Sequence, residues 1–389
     1  MNESKITVLI FTPYFLPGYK AGGPIRSIKN LIDHLSDKLH FKVITPNHDL
    51  GDTKPYDGIV SDAWNKISGI DTYYISDNKR NFFQIAKIIR STNHDIRYYN
   101  SFFYPYLTIF PLLAEKLWLI PRKPTVLAPR GELAPAALQS SKNKKEPYLK
   151  FVRLFKLYSH LHWQVSSKFE KAQLLNLFPI KSDNIDVIPN LPPKMKTALK
   201  PRQSEKQRGK LRLIFVSRIA PKKNLLGALN FLEKVKGPVT FDIYGPKEDE
   251  EYFDKCMEQK ENLPQEIVVN YRGPLNHDQI EEALRQYDFL FFPSHDENFG
   301  HIILESFLAG TPVIISDRTP WLDLERDHAG WAIPLEDSNS FVRILNECVQ
   351  MDRDTHQKLC NGALRKAQIY LNDARLVEQT YEMFAKLVV

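Results

Sequence analysis

The chain has 389 residues, of which 43% are apolar and 25% are charged. This length and composition are typical of a folded protein with two domains, and they exclude a disordered or collagen-like chain. The three cysteines lie far apart without metal-ligand spacing, which favours a reducing cytoplasm and no disulfides. The N-terminal apolar run Ile6–Phe11 is far below the roughly 20 residues of a transmembrane helix, so we expect neither a membrane span nor a signal peptide.

Positive charge is concentrated in the first half of the chain. Residues 1–190 contain 26 Lys and Arg against 16 Asp and Glu, whereas the remainder contains 27 against 30. The net charge of the whole chain is +7. A basic first half suits phosphates, anionic lipids or nucleic acid as partners, and charge alone does not choose among them.

The first half is predicted to alternate strands and helices. The apolar run that ends at Phe11 is typical of a buried parallel strand, and a loop with Gly18, Gly22 and Gly23 follows it. Pro24 then begins a segment with apolar residues at helical spacing. Such a glycine loop presents backbone amides to an anion, although its spacing is not that of a dinucleotide site. Further strands are predicted at Phe41–Thr45, Thr72–Ile75, Ile96–Tyr99 and Thr125–Ala128, and helices at Phe82–Ile89 and Tyr106–Leu119.

Residues 140–171 are both basic and aromatic. They hold eight Lys and Arg against two acidic residues, interleaved with Tyr148, Phe151, Tyr158 and Trp163 among the aromatic side chains. The pattern predicts a basic amphipathic helix. Its aromatic face either packs on the protein core with the lysines in water, or contacts an anionic membrane surface. Stacking of nucleic acid bases on these rings is a third alternative.

The sequence predicts two α/β domains. Residues 191–210 are rich in Pro, basic and without apolar periodicity, which indicates a linker. A second alternation starts with the strand Leu211–Ser217 and continues with strands at Val239–Tyr244 and Ile267–Tyr271. We therefore predict a first domain of residues 1–190, the linker 191–210, a second domain of residues 211–370, and a closing helix within residues 371–389, at about Ala374–Leu387.

One stretch of the second domain reads as a βαβ unit. The pattern predicts the strand Phe289–Phe292, the loop Pro293–Asn298, a helix at Phe299–Ala309 and the strand Val313–Ile315. Glu297 stands just before the predicted helix and Glu305 inside it. Ligands of an open parallel sheet bind beyond the carboxyl ends of the strands, so these glutamates lie where a ligand is expected.

Neighbouring loops of the same domain carry groups that suit a nucleotide diphosphate. Arg218 and Lys223 follow the first strand of the domain and can hold a diphosphate. The turn at Tyr244 and Gly245 lets a ligand approach the backbone, and the free amides near Gly300 and His301 favour an anion.

The two glutamates suit the sugar parts of such a ligand. Glu305, as a carboxylate, can accept hydrogen bonds from the two hydroxyls of a ribose. Glu297 can bind the hydroxyls of a donor sugar or stabilise positive charge at its anomeric carbon. The ordinary alternative is a glutamate that favours a helix N-terminus and another exposed on a helix. We prefer the functional interpretation because the cations and the glycine-opened helix occupy matching loops.

These motifs resemble those of a known family. Glu297 and Glu305, with seven residues between them, resemble the EX7E signature of retaining glycosyltransferases of the GT-B fold, family 4. The segment 217–224 is similar to the family's GR-x-x-x-KN element with Ser217 in place of glycine, and 187–190 to its VIPN element. Pro129–Leu133 resembles the variant in enzymes that build capsule and O-antigen. The resemblance implies an α/β GT-B fold of two Rossmann-like domains that face each other across a cleft.

The resemblance also implies roles for individual residues. Glu297 is expected to act in catalysis. Asn100, which stands where the family often has a histidine, is expected on the opposite wall of the site as a second catalytic candidate. Arg130 and Glu132 are expected to bind the acceptor, and no metal ligand is expected. The expected donor-binding residues are Gly22, Gly23, Arg218, Lys223, Tyr244, Gly245, Asn298, Phe299, Gly300, His301 and Glu305.

The function expected from the resemblance is sugar transfer without a metal cofactor. The donor is expected to be a UDP- or GDP-sugar, and the acceptor a glycan or a glycan on a polyprenyl diphosphate. The enzyme is expected in the cytoplasm, with peripheral contact at the inner face of the membrane through residues 140–171. A GT-B nucleotide-sugar epimerase and a basic nucleic-acid-binding protein are the alternatives. A dinucleotide oxidoreductase is disfavoured because its glycine fingerprint is missing, and we expect no nucleic acid partner.

Overall fold

The computed structural model describes residues 5–139, 142–195 and 197–388. The chain divides into two α/β units. The first unit comprises the chain up to Lys194 together with the segment from Asp373 onward, and the second runs from Met195 to Asn372. None of the helices in the described part of the chain combines the length and apolar character that a membrane span needs.

The first unit has a mainly parallel sheet, with eight strands among the described residues. Their order is β3-β4-β2-β1-β5-β6-β7-β8, and β3 alone runs antiparallel to its neighbour. The strands are β1 Thr7–Phe11, β2 His40–Pro46, β3 Ala63–Ile67, β4 Ile70–Ile75, β5 Ile96–Tyr99, β6 Thr125–Leu127, β7 His162–Val165 and β8 Ile185–Val187. The helices before the chain leaves this unit are α1 Gly23–Leu35, α2 Phe82–Ser91, α3 Phe110–Lys116, α4 Pro135–Gln139, α5 Lys142–Leu154 and α6 Lys168–Leu177.

The second unit has a parallel sheet, with six strands in the range that the structure describes. Their order is β11-β10-β9-β12-β13-β14. The strands are β9 Leu211–Val216, β10 Val239–Tyr244, β11 Ile267–Gly273, β12 Phe289–Phe292, β13 Val313–Ser316 and β14 Gly330–Ile333. The helices are α7 Leu225–Leu232, α8 Glu250–Glu261, α9 His277–Arg285, α10 His301–Leu308, α11 Ser338–Gln350 and α12 Arg353–Leu371.

The sequence of β12 explains its place at the centre of the second sheet. All four of its residues are buried, as expected of a strand that is covered on both faces. It pairs with β9 on one side and β13 on the other, and β9 pairs in turn with β10. Because all these strands are parallel, the loops that follow β9, β10 and β12 meet at the same edge of the sheet.

The last helix returns to the first unit. This helix, α13 (Ala374–Ala385), brings Phe384 against Tyr98 with ring centroids 5.7 Å apart. The Lys386 ammonium lies 2.7 Å from the Asp186 carboxylate, which also bonds to His162 at 2.7 Å. The predicted closing helix is therefore part of the first unit, and His162 has a structural partner.

The predicted linker 191–210 is mostly not a free connection. Arg202, Ser204 and Lys206 are buried, and the Ser204 hydroxyl lies 2.8 Å from Nδ1 of His356 in α12. At the other end, the Asn30 side chain donates to the Leu191 carbonyl at 2.8 Å. Each end is thus fixed to its own unit, and the chain crosses between units near residues 194–195 and again at 372–373. Residue 196 lies outside the described residues.

The prediction of one amphipathic helix over residues 140–171 is wrong. Residues 140 and 141 lie outside the described residues, and α5 ends at Leu154, followed by turns, β7 and the start of α6. Tyr158 and Trp163 are buried in an aromatic cluster with Phe102. Both aromatic rings therefore belong to the core, and Trp163 lies in β7, whose residues are buried on both faces of the sheet.

We predict that Asp186 stabilises the docking of α13 above acidic pH. Burial opposes the charged carboxylate, but hydrogen bonds from His162 and Lys386 lower the pKa of Asp186 below its usual value. Its contribution is therefore present above the unfolded pKa of about 3.9 and is lost as the pH falls through the lower folded pKa. Asp186→Asn should cost about 1 kcal/mol at neutral pH, measured by urea unfolding.

The difference between Asp186→Asn and the wild type should shrink as the pH falls below about 4. Asp183→Asn, an exposed change in the turn that precedes β8, is the control and should have no comparable effect. A stability difference that stays constant from neutral to acidic pH would contradict the assignment.

Candidate functional site

Hydrogen bonds from three residues join the loops after β9 and β12. Asn224 adopts the left-handed conformation between a 3-10 turn and α7, and its amide donates to the Pro293 carbonyl at 2.8 Å. The Ser294 hydroxyl and the His295 amide both donate to the Lys222 carbonyl, at 3.1 and 3.0 Å. The cations of one loop are thereby held beside the acidic residues of the other.

A glycine allows the loop after β10 to join this arrangement. Gly245 has a φ of 145°, and a Cβ added there would lie 1.7 Å from the Ser217 carbonyl oxygen. Backbone hydrogen bonds join the two loops. The Ser217 amide donates to the Tyr244 carbonyl at 3.0 Å, and the Ile219 amide donates to the Pro246 carbonyl at 2.9 Å. Only a residue without a side chain fits this approach, which brings Arg218 close to the β10 loop.

Each cation of the predicted diphosphate site faces a carboxylate. Arg218 pairs with Glu248, and Lys223 pairs with Glu297. Lys222 lies 2.8 Å from Asp296. The loop after β9 therefore supplies cations whose partners are drawn from the loops after β10 and β12. The sequence predicted the cations but not Glu248, which has no recognisable motif.

The pair of Lys223 and Glu297 is the most enclosed of the three. Burial lowers the pKa of Lys223, although the charge of Glu297 acts in the opposite direction. The Ser294 hydroxyl, whose one proton is shared with the Lys222 carbonyl, also lies 3.1 Å from the Glu297 carboxylate, and the Glu297 amide donates to the Arg318 carbonyl at 2.8 Å. Glu297 is thus fixed in a polar pocket next to the entrance of α10.

A second glycine shapes that entrance. Gly300 precedes α10 in the left-handed conformation, with a φ of 76°. A Cβ at this position would lie 2.8 Å from the Ile303 side chain. The Trp321 indole fixes the preceding residue by donating to the Phe299 carbonyl at 2.5 Å. The first turn of α10 is therefore rigidly placed, with Glu305 half-buried one turn into the helix.

In the first unit, the glycine loop is anchored by a carboxylate that the sequence prediction missed. Asp49 is buried and accepts from the amides of Tyr19 and Lys20, at 2.7 and 3.0 Å. The loop ends at Gly22, and Gly23 begins α1. Asp49 follows β2, and this position beyond the carboxyl end of a strand could have indicated a site residue from the sequence.

Arg26 is a further cation that the sequence prediction missed. It lies in the first turn of α1, where its amide donates to the Gly22 carbonyl at 3.2 Å. Burial of the guanidinium lowers the pKa of Arg26 to about 10. Its position in the sequence could have indicated it, because Arg26 is the first basic residue after Gly22 and Gly23.

Arg130 is the centre of a polar network at the carboxyl ends of β5, β6 and β8. Its guanidinium donates to Asn100 at 2.7 Å and also to Asn190 and Tyr98. Tyr98 in turn donates to Gln164 at 2.7 Å. The three partners of Arg130 are oxygen atoms of neutral side chains, so its positive charge is oriented without being neutralised by them.

This network changes the interpretation of Asn100. Its side chain is buried, its oxygen accepts from Arg130, and its amide faces Thr12 and the Pro24 carbonyl at 3.4 Å. Asn100 therefore orients Arg130, and its catalytic role stays a prediction.

Glu132 also has a positioning role in the structure. Its carboxylate accepts from the Ser101 hydroxyl at 2.7 Å and from the amides of Phe102 and Phe103 at 2.8 Å. Burial raises the pKa of Glu132 against these hydrogen bonds. The carboxylate thereby joins the loops after β5 and β6, and its contact with an acceptor stays a prediction.

The remaining predicted site residues lie around α10 and β10. Asn298 and His301 are half-buried, and Phe299 is buried with its ring 4.8 Å from that of His301. Tyr244 at the end of β10 bonds to Tyr287 at 3.2 Å. Within the described residues, no three His, Cys, Asp or Glu side chains converge in a way that could hold a metal ion.

Comparison with protein families gives the class of the second unit. Residues 197–365 match the family described as glycosyl transferases group 1. The match covers less than half of the chain and includes Arg218, Lys223, Glu297 and Glu305. It indicates that this part of the chain is similar to transferases of that family.

Two curated relatives share parts of the chain. An uncharacterized 41.2 kDa protein in the cps region of Klebsiella pneumoniae is 27% identical over 155 residues, which cover 39% of this chain and 41% of the relative. A D-inositol 3-phosphate glycosyltransferase of Streptomyces coelicolor is 29% identical over 104 residues, which cover 26% of this chain and 22% of the relative. The matched regions thus span less than half the length of these relatives.

A solved structure shares the fold of nearly the whole chain. The crystal structure of Anabaena Alr3699/HepE in complex with UDP-glucose superposes with a TM-score of 0.73 at 16% identity. The match covers 98% of this chain and 100% of the other. The predicted fold class, a GT-B arrangement of two Rossmann-like α/β domains, is thereby confirmed.

We predict that Gly245→Ala destabilises the second unit by about 3 kcal/mol or more, because the new Cβ overlaps the Ser217 carbonyl. Gly273→Ala is the matched control. Gly273 has a φ of 79° at the end of the adjacent β11, but no atom lies within 4 Å of its added Cβ. Its cost should be only about 1–2 kcal/mol. Denaturant unfolding measures both, and equal losses would contradict the close approach.

Proposed function

We propose that this chain is a retaining glycosyltransferase of family 4, which transfers a sugar from a nucleotide diphosphate sugar to a hydroxyl group of a glycan. The observation that carries the proposal is a set of three ion pairs in adjoining loops near the first turn of α10: Arg218 with Glu248, Lys222 with Asp296 and Lys223 with Glu297. Cations and free amides suit a diphosphate, and carboxylates suit the hydroxyls of ribose and sugar.

The donor is proposed to be a UDP- or GDP-sugar. The fold neighbour in complex with UDP-glucose favours UDP. Because Lys223 is paired with Glu297, a diphosphate that binds Lys223 competes with that carboxylate. Donor binding would thus transfer Lys223 to the phosphate and leave Glu297 to contact the donor sugar. Separation of this ion pair would thus enable both predicted roles, the binding of the diphosphate by Lys223 and the contact of Glu297 with the sugar.

The proposed reaction breaks the bond between the anomeric carbon and the diphosphate. The electron pair leaves with the diphosphate, whose charge Arg218 and Lys223 neutralise without a metal cofactor. Positive charge develops at the anomeric carbon, where Glu297 stabilises it. The acceptor oxygen attacks from the face that the diphosphate leaves, and the acceptor proton passes to a diphosphate oxygen, so the configuration is retained.

Arg130 is proposed to bind the acceptor. Its known partners are neutral, so its charge can attract an anionic group such as the diphosphate of a polyprenyl-linked glycan. Asn100 and Glu132 would act through Arg130 and its loop. The proposed setting is surface polysaccharide synthesis, such as capsule, O-antigen or lipopolysaccharide, at the cytoplasmic face of the membrane. The relative from a cps region supports this setting.

The proposal is tested with the full chain and a panel of nucleotide sugars. Thermal shift should identify one donor that raises the melting temperature by mass action. That donor, incubated with polyprenyl diphosphate-linked glycans, should yield nucleoside diphosphate and a glycan extended by one sugar. Formation of a new nucleotide sugar from donor alone would instead identify an epimerase. Tight binding of nucleic acid without any donor shift would favour a nucleic-acid-binding protein.

We predict that Glu305→Ala weakens donor binding, whereas Glu297→Ala mainly slows transfer. Loss of hydrogen bonds to a charged acceptor costs about 1.5–3 kcal/mol, so the donor Kd of Glu305→Ala should rise about 10- to 100-fold. Glu297→Ala should keep or improve donor affinity, since it removes the competitor for Lys223, while kcat falls about 100-fold or more. Calorimetry gives Kd, and product formation gives kcat.

Glu325→Ala, an exposed change in the same unit, is the control and should alter neither quantity. Unchanged donor affinity in Glu305→Ala would remove its assigned role. A large loss of donor affinity in Glu297→Ala would contradict the exchange of partners by Lys223.

A further inference from the structure

The first unit exposes an unusual group of apolar side chains between α2 and the turn after α3. Trp118 is 85% exposed and Phe83 is 75% exposed, and Leu117 and Leu119 are exposed beside them. Large apolar side chains that are exposed together, rather than singly, mark an interaction site. We call these four residues the tryptophan cluster.

The tryptophan cluster borders a groove that is continuous with α2. The groove has a volume of about 390 Å³, and its lining includes Phe83, Lys87, Arg90 and Leu119. Phe83, Lys87 and Arg90 recur at helical spacing, so they lie on one face of α2. The apolar residues and the cations therefore belong to one surface.

The charge around the tryptophan cluster is positive. Lys87, Arg90, Lys116 and Arg122 are exposed, and in the described part of the chain the first three form no ion pair. The carboxylate of Glu115 lies beneath this surface, where it is buried and bonded to Arg97 and His160. It therefore adds little negative charge to the surface itself.

A second exposed apolar group lies at the end of α5. Leu154 is 77% exposed, and Phe151 and Phe155 are exposed with ring centroids 4.6 Å apart. The exposed cations next to them in sequence are Lys150, Arg153 and Lys156. The bond between Glu115 and His160, at 2.9 Å, ties the α3 turn to the segment that follows α5.

We propose that the tryptophan cluster and the end of α5 form one docking surface for the anionic face of a lipid bilayer. Trp118, Phe83 and Leu154 would enter the interfacial layer, where indole and phenyl rings are favoured. The lysines and arginines around them would meet the lipid phosphates. A second copy of the chain fits less well, because a symmetric contact would bring these cations against each other.

This surface replaces the contact first predicted for the whole of residues 140–171. The rings of Tyr158 and Trp163 are in the core, whereas the exposed residues come from α2, the α3 turn and α5. The proposal extends the proposed function to a lipid-borne acceptor, but vesicle binding and sugar transfer are measured separately. Failure of one therefore does not imply failure of the other.

The test is co-flotation of the full chain with vesicles of phosphatidylglycerol and phosphatidylcholine, compared with phosphatidylcholine alone. The wild type should bind the anionic vesicles at least tenfold more tightly, and added salt should weaken the binding. The double variant Phe83→Ser/Trp118→Ser and the triple variant Lys87→Gln/Arg90→Gln/Lys116→Gln should each lose at least tenfold in affinity. Leu154→Ser should also weaken binding.

Matched controls come from the other unit. Ile369→Ser alters an apolar residue that is 68% exposed, and Lys234→Gln/Lys236→Gln removes two exposed cations. Both controls should bind vesicles like the wild type. All variants should keep the wild-type melting temperature and the wild-type rate on a water-soluble acceptor, because none of the substituted residues is assigned to donor or acceptor binding.

Four outcomes would overturn the proposal. One is equal binding to neutral and anionic vesicles, and another is unchanged binding by the triple variant. The third is a dimer in sedimentation that Phe83→Ser/Trp118→Ser dissociates while vesicles remain unbound, which would identify the surface as a contact between copies. Binding of nucleic acid in preference to vesicles would likewise contradict it.

Discussion

The ion pair between Lys223 and Glu297 is the interaction on which the candidate site depends. It joins two loops that are far apart in sequence but follow neighbouring parallel strands, and Asn224 reinforces the same junction through the Pro293 carbonyl. An enclosed pair of this kind needs both partners, because removal of one leaves an uncompensated charge. The cation is therefore held beside α10 in a neutral arrangement, and in the proposed function a diphosphate would displace the carboxylate.

The first unit treats its main cation differently. Arg130 is held by amide and hydroxyl oxygens, which fix its direction but do not neutralise its charge. Glu132 and Asp49 hold backbone segments around it and around the glycine loop. Glu132 and Asp49 thus support loops, whereas Glu297 in the second unit is the counter-ion of a cation.

The sequence predicted the parts of the fold that local patterns determine. The strand Phe289–Phe292 was predicted to the residue, since a short apolar run between turns has few alternatives. β7 was missed because its residues, including Trp163, continue an aromatic stripe whose burial depends on distant strands. Motif spacing identified Arg218, Lys223 and the two glutamates. It could not reveal that Asn100 is occupied by Arg130, because that contact joins loops 30 residues apart.

The return of α13 to the first unit also affects how the chain can fold during synthesis. The second unit lies between the two parts of the first. Two contacts of the first unit can therefore form only after the second unit has been translated. They are the contact of Tyr98 with Phe384 and the ion pair of Asp186 with Lys386. Until then the first unit exposes the apolar surface that α13 later covers. The first unit, although its synthesis begins first, is thus completed last. In the interval, that exposed apolar surface would be available to chaperones.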